Sequence, residues 1–146
     1  MLLHMPCIDE SDSGAPGNVY RCSRWPSRDR SRSQRENELR ILQTSRQSED
    51  GVRLCFQAWE PDGRPRAIVA LVHGLGEHVA RHAPLGLDLV GAGYALMGFD
   101  LRGHGRSDGL RGDAPSYEAL LKDIDSLMDW VRTSHPGLPI LSLIHI

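Results

Sequence analysis

The sequence has few of the features that mark secreted or membrane-spanning proteins. It contains only three cysteines, Cys7, Cys22 and Cys55, too few and too far apart for a disulfide framework or a paired zinc knuckle. This sparse usage is typical of a reducing compartment, and it predicts a cytoplasmic location. There is no run of about 18 apolar residues to span a bilayer, and residues 1–6 lack the basic flank of a signal peptide. We expect at most peripheral contact with a lipid surface.

A strong charge of one sign is also lacking. The formal net charge is −2 and the isoelectric point is near 6.4, so no global field draws the chain to nucleic acid. The Ser/Arg-rich tract at 21–33 could contact RNA phosphates, but Asp29, Glu36 and Glu38 dilute its charge. We expect no nucleic-acid partner, and RNA contact by this tract stays open as the alternative of a non-enzymatic module.

The length and the change of composition along the chain predict a single domain behind a tail. A chain of 146 residues can bury one modest core. Over residues 1–45 Ser, Arg, Asp and Glu dominate and no periodicity persists, which predicts a disordered tail. From about Glu49 short apolar runs alternate with amphipathic stretches, so the domain is predicted over 46–146.

Several short runs in this domain have strand patterns. Alternation over 52–59 predicts a half-exposed edge strand, which the turn residues at 61–63 end. The run at 67–72 is continuously apolar, as expected of a central strand that is covered on both faces. Residues 94–99 predict the next buried strand, and residues 139–143 begin another.

Two helices are predicted between these strands. One covers about 84–90, with Pro84 in its first turn and glycines after it. The other begins after the N-cap residue Ser116 and stops at Pro136. Its apolar residues recur at three- and four-residue spacing and are Leu120, Leu121, Ile124, Leu127, Met128 and Val131. Strands that alternate with helices build a mostly parallel sheet with helices on both faces, so the predicted fold class is α/β.

Two glycine-containing loops follow the buried strands. The first, at 73–78, reads HGLGEH, and Gly74 and Gly76 would let its backbone turn through positive φ. The amide N–H of Leu75 could then point into a cleft and stabilise an oxyanion. Glycines also serve in ordinary strand-to-helix turns, so the pattern alone leaves both interpretations open. The second loop, at 100–109, reads DLRGHGRSDG and lies at the same edge of the sheet.

These two loops carry a family resemblance. The first resembles the H-G-x-G-E-H loop, and the second the D-x-R-G-H-G-x-S-x-G loop, of the monoacylglycerol lipases, lysophospholipases and related serine aminopeptidase-like hydrolases. Residues 123–125 and 135–139 are also similar to that family, and the resemblance covers roughly 50–141. It implies the N-terminal part of an α/β-hydrolase fold, truncated before the nucleophile elbow.

The resemblance also implies roles for the loop residues. Leu75 would give the first N–H of an oxyanion hole, and the second would come from the residue after the nucleophile serine. The residues that would shape the turn around Leu75 are His73, Gly74 and Gly76. The residues that would brace the two loops against one another are Asp100, Arg102 and His104.

The nucleophile itself has no counterpart in this chain. Members of the family continue through a strand into G-H-S-x-G, whereas Ile144 and Ile146 stand here at the places of the elbow glycine and the serine. Ser142 lies inside the predicted strand with no preceding glycine, and His145 has no chain after it to hold it. We therefore expect no catalytic triad residue in this chain and no hydrolysis by the fragment alone.

The implied substrate is a small lipid or ester, a monoacylglycerol or a lysophospholipid, and neither a metal nor an organic cofactor is implied. Peptide hydrolysis or another reaction of small substrates remains an alternative, because many chemistries share this scaffold. A zinc site is not expected, since Glu77 precedes His78 and His82 whereas H-E-x-x-H needs the glutamate inside the pair. The glycines of the second loop are one residue too far apart for a dinucleotide fingerprint.

Overall fold

The computed structural model describes residues 18–21 and 39–144, which form a mixed sheet with helices on its two faces. The strands are β1 (Asn18–Arg21), β2 (Leu39–Gln47), β3 (Arg53–Pro61), β4 (Ile68–Val72), β5 (Ala95–Phe99) and β6 (Ile140–Ile144). A single 3₁₀ turn, Val79–His82, leads directly into helix α1 (Ala83–Gly91), and helix α2 covers Tyr117–Ser134.

The strand order brings the two glycine-containing loops to one edge of the sheet. The order is β1-β2-β3-β5-β4-β6, in which β4 lies between β5 and β6 and is parallel to both. Strands β1, β2 and β3 pair antiparallel with one another, and β3 pairs antiparallel with β5. Because β4 and β5 are adjacent and parallel, the loops that leave their carboxyl ends are neighbours. The predicted α/β class is confirmed, but the expectation of a mostly parallel sheet is wrong for the described residues, because three of the five strand pairings are antiparallel.

One face of the sheet is covered by α2. This helix contributes Leu127, Trp130 and Val131 to a buried apolar cluster with the strands. The Trp130 ring meets Phe56 edge to face at 5.3 Å between centroids, and Phe56 stacks on Phe99 at 5.5 Å. As predicted, Ser116 caps the helix, since its hydroxyl accepts a hydrogen bond from the Ala119 N–H at 3.1 Å.

The opposite face is covered by α1. Val90 of this helix packs in a second cluster with Trp59, Leu71 and Leu96. Gly86 lets the helix approach closely, because a Cβ at this position would lie 2.8 Å from ring atoms of Trp59. The short helix predicted at 84–90 is therefore confirmed, and so are helices on both faces.

The prediction of a half-exposed edge strand over 52–59 is wrong. Strand β3 lies inside the sheet, paired with β2 on one side and β5 on the other. Gln57, a polar residue of the alternating run, is itself buried with 7% of its surface exposed, and so is Glu60 near the end of β3, with 4%. The Glu60 carboxylate is satisfied there by His135, whose Nε2 lies 2.9 Å from Oε1.

The prediction of a disordered tail over 1–45 is wrong for residues 18–21 and 39–45, which are paired in strands. Leu39 and Ile41 alternate and pack beside Trp59, while Leu42 packs against the cluster on the other face. Cross-strand pairing with β3 thus orders a segment whose polar composition suggested disorder. The domain begins before residue 46. The other residues of the tail, including 22–33 of the Ser/Arg-rich tract, lie outside the described residues.

Candidate active site

The glycine loop, residues 73–78, connects β4 to the 3₁₀ turn. Its turn is closed by a hydrogen bond from the Glu77 N–H to the Gly74 carbonyl at 3.2 Å. Gly76 adopts φ 75°, a left-handed conformation that glycine takes without steric cost. Gly74 does not lie in this region, so the expectation of positive φ at both glycines is wrong for Gly74. A single left-handed residue is sufficient to reverse the chain here.

The backbone N–H of Leu75 lies at the centre of this turn. In the part of the chain that the structure describes, no acceptor takes a hydrogen bond from this N–H. It does not belong to a strand ladder, and the Leu75 side chain is 75% exposed. The N–H is therefore free to donate to a ligand.

His73 anchors the start of the glycine loop and is fully buried. Its Nε2 accepts a hydrogen bond from the Leu101 N–H at 3.0 Å, and its Nδ1 lies 2.9 Å from the Gly74 carbonyl oxygen. These partners assign the proton to Nδ1, because an acceptor nitrogen carries none. Burial lowers the pKa of His73 below its ordinary value, against the opposing hydrogen bond to Gly74 and the charge of Asp100. His73 is thus a neutral structural residue that joins the loop to β5's end.

The aspartate loop, residues 100–109, is held to the 3₁₀ turn that follows the glycine loop by the carboxylate of Asp100. One oxygen, Oδ1, accepts from the Val79 N–H at 2.7 Å, and the other, Oδ2, accepts from the Arg106 N–H at 2.8 Å. Asp100 therefore contacts the residue directly after the glycine loop, while the hydrogen bond between the two loops joins the Leu101 N–H to His73. Gly105, at φ 48°, leaves room for this carboxylate, since a Cβ there would collide with it.

Ser107 fastens the aspartate loop to the sheet, a role that the sequence analysis did not assign. Its hydroxyl donates to the Asp100 carbonyl at 2.5 Å and accepts from the Cys55 N–H of β3 at 2.9 Å. Ser107 is 2% exposed. A buried serine in a polar loop is a signal for such a bond, but its partner on β3 could not be read from the sequence.

Arg102 does not brace the two loops, contrary to the expectation. Its guanidinium binds the carboxylate of Asp123 on α2 through two hydrogen bonds, at 2.7 and 2.8 Å, and that of Asp50 before β3 at 2.7 and 3.2 Å. It therefore fixes the aspartate loop to α2 and to the β2–β3 turn. Hydrogen bonds from Arg102 and Ser48 hold the pKa of Asp50 well below its ordinary value.

His104 touches the glycine loop through its ring. The His104 and His73 ring centroids lie 5.6 Å apart, and Nδ1 of His104 lies 3.0 Å from the Arg102 carbonyl oxygen. His104 therefore contacts the glycine loop by ring packing. Within the described residues it forms no hydrogen bond to that loop.

The described residues contain no serine nucleophile that is paired with a histidine base. Across 39–144, no serine hydroxyl forms a hydrogen bond with a histidine ring nitrogen. Ser142 lies within β6, as predicted, and His145 lies outside the described residues.

Neither a metal cluster nor a membrane helix is found in the described part of the chain. No group of three or more His, Cys, Asp or Glu side chains there is arranged to hold a metal ion. Neither of the helices that the structure describes has the length and apolar character to cross a bilayer.

The sheet order and the loops at the carboxyl ends of β4 and β5 define the class, part of an α/β-hydrolase. Among solved structures, a thermostable carboxyl esterase from Bacillus coagulans superposes with a TM-score of 0.62 at 30% identity, covering 70% of this chain and 35% of the esterase. A family model described as serine aminopeptidase, S33, matches residues 63–145. The chain belongs to this family.

Two lipases match this chain over a similar length of sequence. The chain is 36% identical over 95 residues to the monoacylglycerol lipase of Mycolicibacterium smegmatis, covering 65% of this chain and 34% of that enzyme. It is 33% identical over 96 residues to the human monoglyceride lipase, covering 66% of this chain and 32% of that enzyme. The match thus spans about one third of the length of these relatives.

Proposed function

We propose that this chain carries the oxyanion-binding half of a serine hydrolase that cleaves carboxylic esters. The observation that supports this most is the Leu75 N–H, which lies in a turn at the carboxyl end of β4 and has no acceptor among the described residues. Leu75 is exposed, so a ligand can reach this N–H, and a backbone N–H that is fixed in a turn is suited to bind an oxyanion.

In acyl transfer, the carbonyl oxygen of the ester becomes negatively charged when the nucleophile attacks. An N–H that is already fixed in place stabilises this charge without reorganisation, at about 2.7–3.1 Å from the oxyanion. The Leu75 N–H would be the first donor. By the family resemblance, the second donor is the N–H after the nucleophile serine, and the serine forms an acyl intermediate.

The proposed substrate is a monoacylglycerol, a lysophospholipid or a similar small ester. This proposal rests on relatives that bear the names monoacylglycerol lipase and monoglyceride lipase. No metal or organic cofactor is needed for acyl transfer through a serine. We place the protein in the cytoplasm, in peripheral contact with lipid at most.

We further propose that the 146-residue polypeptide alone does not hydrolyse esters, because its described residues hold no serine and histidine pair. The measurement is release of nitrophenol from a short nitrophenyl ester, with a fluorophosphonate as the inhibitor. Turnover that the fluorophosphonate blocks would contradict this proposal.

The oxyanion role is tested in a chimera in which residues 39–139 replace the matching part of the Mycolicibacterium lipase. Leu75→Pro removes the N–H, and Leu75→Ala keeps it while removing the same exposed side chain. Loss of one oxyanion donor lowers kcat by about 10²–10³, so we expect that loss for proline and a near-normal kcat for alanine. Equal kcat in both variants would contradict the role of the N–H.

Peptide hydrolysis is a second candidate, because the matching family model is described as serine aminopeptidase. The same chimera distinguishes the two reactions. Faster cleavage of an aminoacyl nitroanilide than of a monoacylglycerol would favour the peptidase.

A further inference from the structure

His82 and Glu77 form a pair beside the glycine loop that none of the roles above includes. His82 ends the 3₁₀ turn, and its Nε2 lies 3.4 Å from Oε2 of Glu77. Both atoms are buried, and neither has a hydrogen-bond partner in the described structure. A buried ring nitrogen and a buried carboxylate oxygen that face each other are costly to leave unpaired. A proton on Nε2 would satisfy both atoms through one bond.

The Glu77 backbone also reaches the start of its own loop, since its N–H donates to the Gly74 carbonyl at 3.2 Å. Burial works against ionisation of the carboxyl, but the Gly74 backbone, together with Arg81 and His82, outweighs burial and lowers the pKa of Glu77 below its ordinary value. The carboxylate charge is also felt at His73. Glu77 is therefore joined to Gly74 through its backbone and faces the His82 ring through its side chain.

We propose that His82 is a positioning residue for the glycine loop, in which its Nε2–H donates to the Glu77 carboxylate and so fixes the residue whose own N–H closes the turn on the Gly74 carbonyl. The bond would attach the end of the turn that contains Leu75 to the 3₁₀ turn that follows it. The loop is already held at His73 and at Val79, and this pair would fix the residues between these anchors. Any stabilisation of an oxyanion by the positioned loop rests on the proposed function. The hydrogen bond between His82 and Glu77 does not depend on that function.

The pair is tested by the Nε2–H proton of His82, followed by NMR of the histidine rings in the complete 146-residue chain. Replacement of the carboxylate by a neutral amide in Glu77→Gln should weaken the bond, so we expect roughly tenfold faster exchange of this proton with water. Glu118→Gln, at an exposed site on α2, is the matched control and should leave the exchange unchanged. The ring of His135, which has its own partner Glu60 at 2.9 Å, is an internal reference in every sample.

Positioning is tested by amide hydrogen exchange at Glu77, whose N–H closes the turn on the Gly74 carbonyl. His82→Phe keeps a ring but loses the N–H, and we expect roughly tenfold faster exchange at Glu77 with unchanged exchange in β4. His82→Gln restores an N–H donor and should recover part of the protection.

Two outcomes would overturn the proposal. One is identical exchange of the His82 Nε2–H proton in Glu77→Gln and in the parent chain. The other is unchanged amide exchange at Glu77 in His82→Phe, which would show that His82 does not position the glycine loop. Either result is independent of the Leu75→Pro experiment, so the two proposals fail separately.

Discussion

Replacement of Asp123 by alanine should unfold this domain far more readily than the same replacement elsewhere on α2. The Asp123 side chain is fully buried, and both of its oxygens accept from Arg102, which is itself 3% exposed. Asp123→Ala leaves the guanidinium buried with Asp50 as its remaining carboxylate partner. Asp129→Ala is the control, because Asp129 is on the same helix and pairs with Arg132 at the surface.

The magnitude follows from this burial. Removal of one partner of a buried ion pair costs about 3–5 kcal/mol, and the retained Asp50 places the expected loss near the lower end, about 3 kcal/mol. Surface pairs contribute about 0–1 kcal/mol. The gain in helix propensity is the same in both variants, so it cancels in the comparison.

Urea denaturation, followed by the fluorescence of the buried Trp59 and Trp130, measures this difference. With a slope of about 1–3 kcal/mol per M urea, a loss of about 3 kcal/mol moves the midpoint by at least about 1 M. Equal midpoints for Asp123→Ala and Asp129→Ala would refute the reasoning, because the Arg102 contacts would then contribute no more than a surface pair.

Two further predictions concern the loops and pH. Gly105→Ala should destabilise the domain by about 1–3 kcal/mol more than Gly112→Ala, measured by urea denaturation. Both glycines have positive φ, but only at Gly105 would a Cβ collide with the Asp100 carboxylate. Equal losses of stability would contradict this contact. The lowered pKa of His73 means that its contribution to stability is present above about 6.5 and is lost as the pH falls through the folded pKa. NMR titration should place the His73 ring below 6.5, and titration at or above that value would contradict the burial argument.

The sequence predicted those elements whose pattern depends on few other residues. Strand β4 is continuously apolar because both of its faces are covered, and α2 has a regular apolar stripe with a cap at Ser116. Strand β2 was missed, because its apolar residues Leu39 and Ile41 stand among charged ones and are ordered by pairing with β3. Local composition cannot show such pairing.

The candidate site was predictable to a similar degree. The two loops were expected to meet because parallel neighbouring strands bring their carboxyl ends to one edge, and they do meet, through the hydrogen bond from the Leu101 N–H to His73. The partners of Arg102 were not predictable, since Asp50 and Asp123 come from distant parts of the chain. The sequence motif identifies Arg102 as a residue with a role in the loop, but only the fold shows which residues it contacts.

The contacts that shape the glycine loop come from a compact part of the chain. His73 accepts from Leu101, Asp100 accepts from Val79, and Ser107 ties the Asp100 backbone to Cys55 of β3. All of these residues precede α2, and none of these four hydrogen bonds uses a group of β6, the strand that follows α2. In the proposed site they would hold the oxyanion donor in place before the nucleophile attacks, and such preorganisation is what a donor to a developing charge requires.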